Sequence, residues 1–351
     1  VGCETCEALP GRLSPAVDLY LSFPLEASAR TAEAALASAG VPVDVNGPDL
    51  RVAVAAGAAA DVARALAAAL NQAERQDGRA LEVVPGRVPD GESLRRMAGL
   101  ETWIGQARAQ IVREVLSAGS LDNVFQPIVP AGETTRPFAY EVLLRARRAD
   151  GSGVPPHELF ALAAQGGLIH HLDREARLRA IRQARAWGVF ERGLAFINFV
   201  PSSIYNPAFC LRTTEAAVEE AGVTPDQVVF EVLESERADP AHLTRILQHY
   251  RQAGYRIALD DLGSGYSSLG LMASLRPDFV KLDMGLVRGV AADPYRAGML
   301  DALLSMARSL EVATIAEGVE TGEDLAWVRD HGATYVQGYA IARPGCPPPL
   351  A

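Results

Sequence analysis

Asp260 and Asp261 stand side by side at the end of a short apolar run, Ile257, Ala258 and Leu259, with a glycine-rich turn beyond them. The run reads as a buried strand, and paired carboxylates at its end suit a cation. Neighbouring strand side chains point to opposite faces, so both acids reach one site only where the strand bends into its loop, which Gly263 and Gly265 permit. The segment GSGYSS looks like half of a dinucleotide-binding GxGxxG, yet the two acids before it would repel a pyrophosphate unless a metal lay between. A solvated turn in which Asp261 caps a following helix is the alternative.

Lys281 is the second chemical signal. It is the one lysine among 33 basic residues, so a strong preference for arginine is overridden at a single position. Arginine is a broad fork and lysine a compact ammonium, which points to a site that accepts only the smaller cation. Further polar residues interrupt apolar runs or end them: Glu141, Asn198, Glu231, Glu234, Glu317 and Gln337. Polar groups in strands are costly unless they converge on something. Carboxylates with an amide oxygen are hard ligands for Mg²⁺ or Mn²⁺, and the absence of His and Cys from the set disfavours zinc. Cys3 and Cys6 form a separate CxxC, with Cys210 and Cys346 giving no second one. That pair is a candidate second metal site, completed by a second chain, or a redox pair, or simply two reduced thiols.

The elements that must position these groups are eight short apolar runs, at 124–129, 139–144, 194–200, 228–233, 256–259, 279–282, 312–316 and 334–336. Most are separated by helical stretches, the pattern of an α/β (β/α)8 TIM-type barrel whose chemistry gathers at the C-terminal ends of the strands. The first two runs are joined too briefly to hold a crossover helix. The expected barrel is therefore irregular, with an antiparallel first strand. Before it, residues 17–84 read as strand (17–23), helix (29–39), strand or hairpin (41–54), helix (59–74) and strand (81–84), a small α/β domain. Leu94, Met97, Leu100, Ile104, Ala107, Ile111 and Val115 then mark one helix face after a Pro- and Gly-containing linker at 85–91. The expected organisation is 1–90 as a sensor or dimerisation domain of unknown ligand, 91–120 as a linker helix and 121–351 as the barrel.

Composition sets outer limits. A hydrophobic fraction of 49% and a charged fraction of 22% describe an ordinary globular chain. The net charge of -10 disfavours long nucleic acid or a membrane surface as partner. The most apolar stretch, 52–70, is broken by Asp61 and Arg64, and no secretory pattern stands at the start, so a cytoplasmic location is expected.

From about Val124 to Pro344 the chain resembles an EAL domain, the bacterial phosphodiesterase that opens cyclic di-GMP to linear pGpG. Eight motifs carry the resemblance in order: FQPIV, YEVLLR, INFVPSSI, FEVLE, DDLGSGYSSL, DFVKLD, IAEGVET and VQGYAIARP. Val142, Leu262 and Ser264 depart from the family pattern and leave its acidic positions intact. The resemblance implies that Glu141, Asn198, Glu231 and Asp260 hold one cation, with Asp260 bridging to a second that Asp261 and Glu317 retain. It implies that Lys281 orients the attacking water, with Glu317 as an alternative general base. Glu234 would fix the 262–268 loop and couple it to a partner subunit, while Arg145, Gln337 and Glu320 would contact the dinucleotide. A homodimer is implied too. The competing function is a catalytically silent receptor of cyclic di-GMP that acts through partners, which the full acidic set disfavours; a metal nuclease on longer nucleic acid is disfavoured by the charge. A further variant is an enzyme held silent until the N-terminal domain signals.

Overall fold

The computed structural model of the chain describes residues 16–148, 150–233, 239–263 and 268–350. The CxxC at Cys3 and Cys6, Glu234 and the turn at 264–267 lie outside them. The described residues form two compact units, 16–120 with 146–172, and 121–145 with 173–350. The division departs from the expected domains, because residues 91–120 and 146–172 belong with the N-terminal sheet.

In the first unit, β1 (Val17–Ser22) is the centre of an antiparallel sheet, with β3 (Asp49–Val54) on one side and β4 (Arg79–Val83) on the other. β2 (Val43–Asn46) pairs outside β3 and β5 (Ala98–Gly99) outside β4. β3 alternates strictly, burying Leu50, Val52 and Val54 and exposing Asp49, Arg51 and Ala53. The helix Glu26–Ser38 covers this face with Ala29, Ala32 and Leu36, at spacings of three and four. The expected second helix is two, Ala59–Ala69 and Gln72–Asp77, because Asn71 caps the latter with a reciprocal bond to Glu74.

The expected 91–120 linker helix is likewise corrected. It comprises three short helices, Gly91–Leu94, Leu100–Arg108 and Gln110–Ala118, with β5 intervening. Leu94 and Met97 are exposed, whereas Leu100, Trp103, Ile104 and Ala107 join the core of the sheet. Leu100, Ile104 and Ala107 of the stripe are therefore spent inside their own unit.

In the second unit eight strands close into a barrel. In ring order they are β6 (Leu121–Pro130), β7 (Ala139–Arg147), β9 (Leu194–Asn198), β10 (Val228–Leu233), β11 (Arg256–Leu262), β12 (Phe279–Leu282), β13 (Ala313–Ala316) and β14 (Tyr335–Val336). The two-residue β8 (Gly153–Val154) pairs with the far end of β7. Seven ring strands run parallel, and β6 lies antiparallel to β14 with Val129 opposite Val336. Ile128, Ala139, Phe196, Val229, Ala258, Phe279 and Ile315, one from each of seven strands, plug the interior with Tyr335 packed beside them. Phe196 meets Phe279 edge to face at 5.2 Å between centroids. The barrel is a filled core, so chemistry is left to its ends. Among the described residues no helix is long and apolar enough to cross a membrane.

Candidate active site

Two residues beyond the plug, each parallel strand again faces inward, and there the side chains change character. Ala139 is followed by Glu141, Phe196 by Asn198, Val229 by Glu231 and Ala258 by Asp260. On the remaining strands Phe279 is followed by Lys281, Ile315 by Glu317 and Tyr335 by Gln337. β6 runs the other way, so its residue at this level lies two positions earlier than Ile128, and Gln126 does line the cleft with Glu141, Glu317 and Gln337. An apolar floor thus carries a ring of polar groups at the C-terminal mouth.

Lys281 occupies the middle of that ring. Its Nζ lies 2.7 Å from Glu317, 3.0 Å from Glu231, 3.1 Å from Asp260 and 3.4 Å from Glu141. Asn198 donates to Glu231 at 3.0 Å and to Glu141 at 3.4 Å, and Gln337 donates to the other Glu141 oxygen at 2.8 Å. Glu231 is fully buried and Lys281 is 1% exposed. Burial pulls the Lys281 ammonium down, but the surrounding carboxylates of Asp260, Glu141, Glu231 and Glu317 hold it well above its usual value. Burial pushes the Glu231 carboxyl well up, with Glu141 and Asp260 adding to the rise and Lys281 opposing it.

The paired acids sit at a break in β11. Its register against β12 shifts between Leu259 and Leu262, and Asp261 takes a left-handed φ of 59°. The bend lets Asp260, Asp261 and Glu317 each bring a carboxylate oxygen within 4.8 Å of the others. Gly263, at φ 106°, completes the turn where a Cβ would lie 2.4 Å from Leu286. Burial pushes Asp261 to about 6 and Glu317 to about 8, with neighbouring carboxylates adding to both and Lys281 opposing. Five carboxylates around one ammonium leave a large uncompensated negative charge, and all the donors are hard oxygens. The residues therefore fit divalent cations of the Mg²⁺ or Mn²⁺ type.

Not every candidate enters this cluster. Arg145 lies further along β7, half-buried, and donates to the carbonyl of Leu144 at 2.8 Å. Glu320 lies on the wall of the cleft, where Arg288 pairs with it at 2.6 Å. The cleft encloses about 210 Å³. Gln126, Arg288 and Tyr339 also line it, and none of the three is marked as a site residue by the sequence patterns. Gln126 is open to detection by counting backwards on the antiparallel strand; Arg288 and Tyr339 stand in loops, where no periodicity marks them.

Gly338 ties the last two polar positions together. A Cβ there would lie 2.1 Å from the carbonyl oxygen of Val319, while Val319 donates to Gln337 at 3.1 Å and Ala340 to Val319 at 3.0 Å. Gly338→Ala should therefore destabilise the barrel by about 1–3 kcal/mol. Thermal unfolding measures this, and a wild-type midpoint would contradict such tight packing.

Comparison with known protein families matches residues 109–344 to the EAL domain. The chain belongs to the EAL family. Outside the domain its relatives differ in extent. The protein named Probable cyclic di-GMP phosphodiesterase PdeG, from Escherichia coli K12, is 33% identical over 244 residues, covering 67% of this chain and 46% of its own length. Cyclic di-GMP phosphodiesterase NbdA of Pseudomonas aeruginosa is 29% identical over 236 residues, covering 66% of this chain and 30% of its own. This chain thus spans less than half the length of either relative. Among solved structures, a standalone EAL protein of Vibrio cholerae O395 in its c-di-GMP-bound form superposes with a TM-score of 0.58 at 33% identity, covering 65% of this chain and 93% of that one. The EAL barrel, closed and with one antiparallel strand, is the fold on which the polar ring stands.

Proposed function

We propose that this EAL domain hydrolyses cyclic di-GMP to linear 5'-pGpG with the help of two divalent cations, Mg²⁺ or Mn²⁺. The observation that carries the reading is the ring of Glu141, Glu231, Asp260 and Glu317 closed around Lys281, with Asp261 turned toward it. Glu141, Asn198, Glu231 and Asp260 would hold one cation, and Asp260, Asp261 and Glu317 the other. Cations so placed lower the pKa of water and offset charge on the phosphate. Water adds to phosphorus as the bond to one 3'-oxygen breaks, and that oxygen takes a proton from solvent as it leaves. Lys281, held charged by its four neighbours, donates hydrogen bonds to the water and to the phosphoryl oxygens. Glu317 accepts the proton of the water. Arg145, Gln337 and Glu320 contact the dinucleotide, and Glu234 steadies the loop after β11. The same proposal includes a homodimer in the cytoplasm and control by the N-terminal unit.

Incubation with cyclic di-GMP and Mn²⁺ or Mg²⁺, with EDTA as control, tests this by chromatography of pGpG and a parallel binding measurement. Metal-dependent pGpG supports the enzyme. Binding without product would replace it by a receptor, and neither binding nor product would overturn both.

The raised carboxyls make cation loading depend on pH. A cation binds the ionised forms, so protons compete below about 6 at Asp261 and below about 8 at Glu317. Affinity for Mn²⁺ should climb from pH 6 to 8 and level off above. At pH 7, loading should release about one proton or more, from Glu317 and from the likewise raised Glu231. Calorimetry in buffers of different ionisation heat reads the number; no release at pH 7 would exclude Glu317 from the cation site.

A further inference from the structure

A second buried charge cluster lies beside β9, away from the ring. Asp173 and Arg177, one turn apart on the helix Ile169–Ala186, are 1% and 2% exposed and form an ion pair. Asp173 also accepts from the backbone N–H of Val200 at 2.9 Å and from the hydroxyl of Ser203 at 2.6 Å. Arg177 in turn donates to Thr214 at 3.4 Å. The chain gripped in this way begins two residues after Asn198, the last residue of β9, and turns immediately through a 3-10 turn at Pro201–Ser203.

Stability alone does not account for the arrangement. Two charges withdrawn from water lose their hydration, and an apolar pair of similar volume is often no less stabilising. An apolar pair could not hold a backbone N–H and a hydroxyl in fixed directions. Immediately past Asn198, the N–H of Phe199 still donates across the sheet to Glu231 at 3.3 Å. From Val200 onward the grip passes to the helix behind, through Asp173.

We propose that Asp173 is a positioning residue for Asn198: by clamping Val200 and Ser203 it fixes the exit of β9, and with it the direction in which the Asn198 amide meets Glu141 and Glu231. Arg177 pairs with Asp173, bonds Thr214 and completes the clamp. This inference rests on the reading that Asn198 belongs to the cation site.

The test uses the whole chain and Mn²⁺ as probe. Mn²⁺ affinity is measured by electron paramagnetic resonance and stability by thermal unfolding, for Asp173→Asn, for Asp173→Asn with Arg177→Met, and for Ser203→Ala. The double variant removes both charges together, so no lone buried ion opposes folding. It should unfold near the wild-type temperature and yet bind Mn²⁺ about tenfold more weakly, the scale of an outer-shell partner. Ser203→Ala should shift affinity the same way by less, and Ser203→Thr should restore it. A purely structural clamp would move the unfolding temperature and leave affinity alone. Wild-type Mn²⁺ affinity in Ser203→Ala and in a folded Asp173 variant overturns the proposal. A wild-type chain that binds Mn²⁺ without opening cyclic di-GMP would sink the enzymatic reading and leave this measurement intact.

Discussion

Glu141→Ala should abolish opening of cyclic di-GMP, with a rate loss of at least about a thousandfold. Glu141 connects more of the ring than any other described carboxylate: Lys281 at 3.4 Å, Asn198 at 3.4 Å and Gln337 at 2.8 Å all converge on its two oxygens. Its removal takes away one carboxylate of the ring and unties two amides. The fold should not suffer equally. The site carries too much negative charge when no cation is bound, so deleting one carboxylate relieves repulsion, and the metal-free variant should unfold no lower than wild type. The combination is diagnostic: activity lost, Mn²⁺ affinity lowered, unfolding temperature held. Substantial pGpG production by this variant would end the assignment of Glu141 to the cation site.

Lys281→Met carries the second large effect, and it falls on stability first. Met approximates the lysine stem, but Glu231, Asp260, Glu141 and Glu317 would then surround a thioether. Breaking a buried pair from one side costs about 3–5 kcal/mol. Urea unfolding in EDTA should show that loss, and saturating Mn²⁺ should restore much of it, because a bound cation stabilises the folded state by mass action. The pH dependence has a definite sign. The carboxyls of Glu231 and Glu317 titrate above their usual range, so their protonated forms relieve the repulsion at low pH and the stability is lost as pH rises. The deficit of the variant should accordingly be smaller at pH 5 than at pH 8. On the proposed role of Lys281 as a charged donor to the phosphate, turnover should fall by about 10²–10³. A variant as stable as wild type in EDTA at pH 8 would mean that the four carboxylates do not depend on the ammonium.

The barrel is legible in the sequence because its strands differ from everything around them. Short runs such as Phe279 to Leu282 are too brief for helices and too apolar for loops, and the eight residues between β6 and β7 leave no room for a crossover. The ring is legible for the same reason. A glutamate or lysine within such a run stands out against its apolar neighbours, and the period of two places all of them at one level. Gln126 escapes because its strand runs in reverse. Asp173 and Arg177 escape for a different reason: an acidic and a basic residue four apart on a helix read as an ordinary solvated pair, and only tertiary packing puts them in the interior. The helix face after residue 94 is visible, but not its interruption at 95–99, since two residues of strand pairing with β4 leave no periodic mark.

The burial of the only lysine gives the protein a built-in reporter of its own opening. Within residues 1–351 a lysine-specific protease has a single cleavage point, after residue 281, and in the folded chain that peptide bond lies within a strand paired on both sides. Cleavage then requires the barrel itself to come apart; fraying at a terminus or a loop produces no cut. The yield of two fragments of fixed size tracks the population of opened barrel under conditions where reclosure is fast. Any cation or nucleotide that engages the mouth should slow their appearance, which turns ligand screening into a gel assay with one cut to watch.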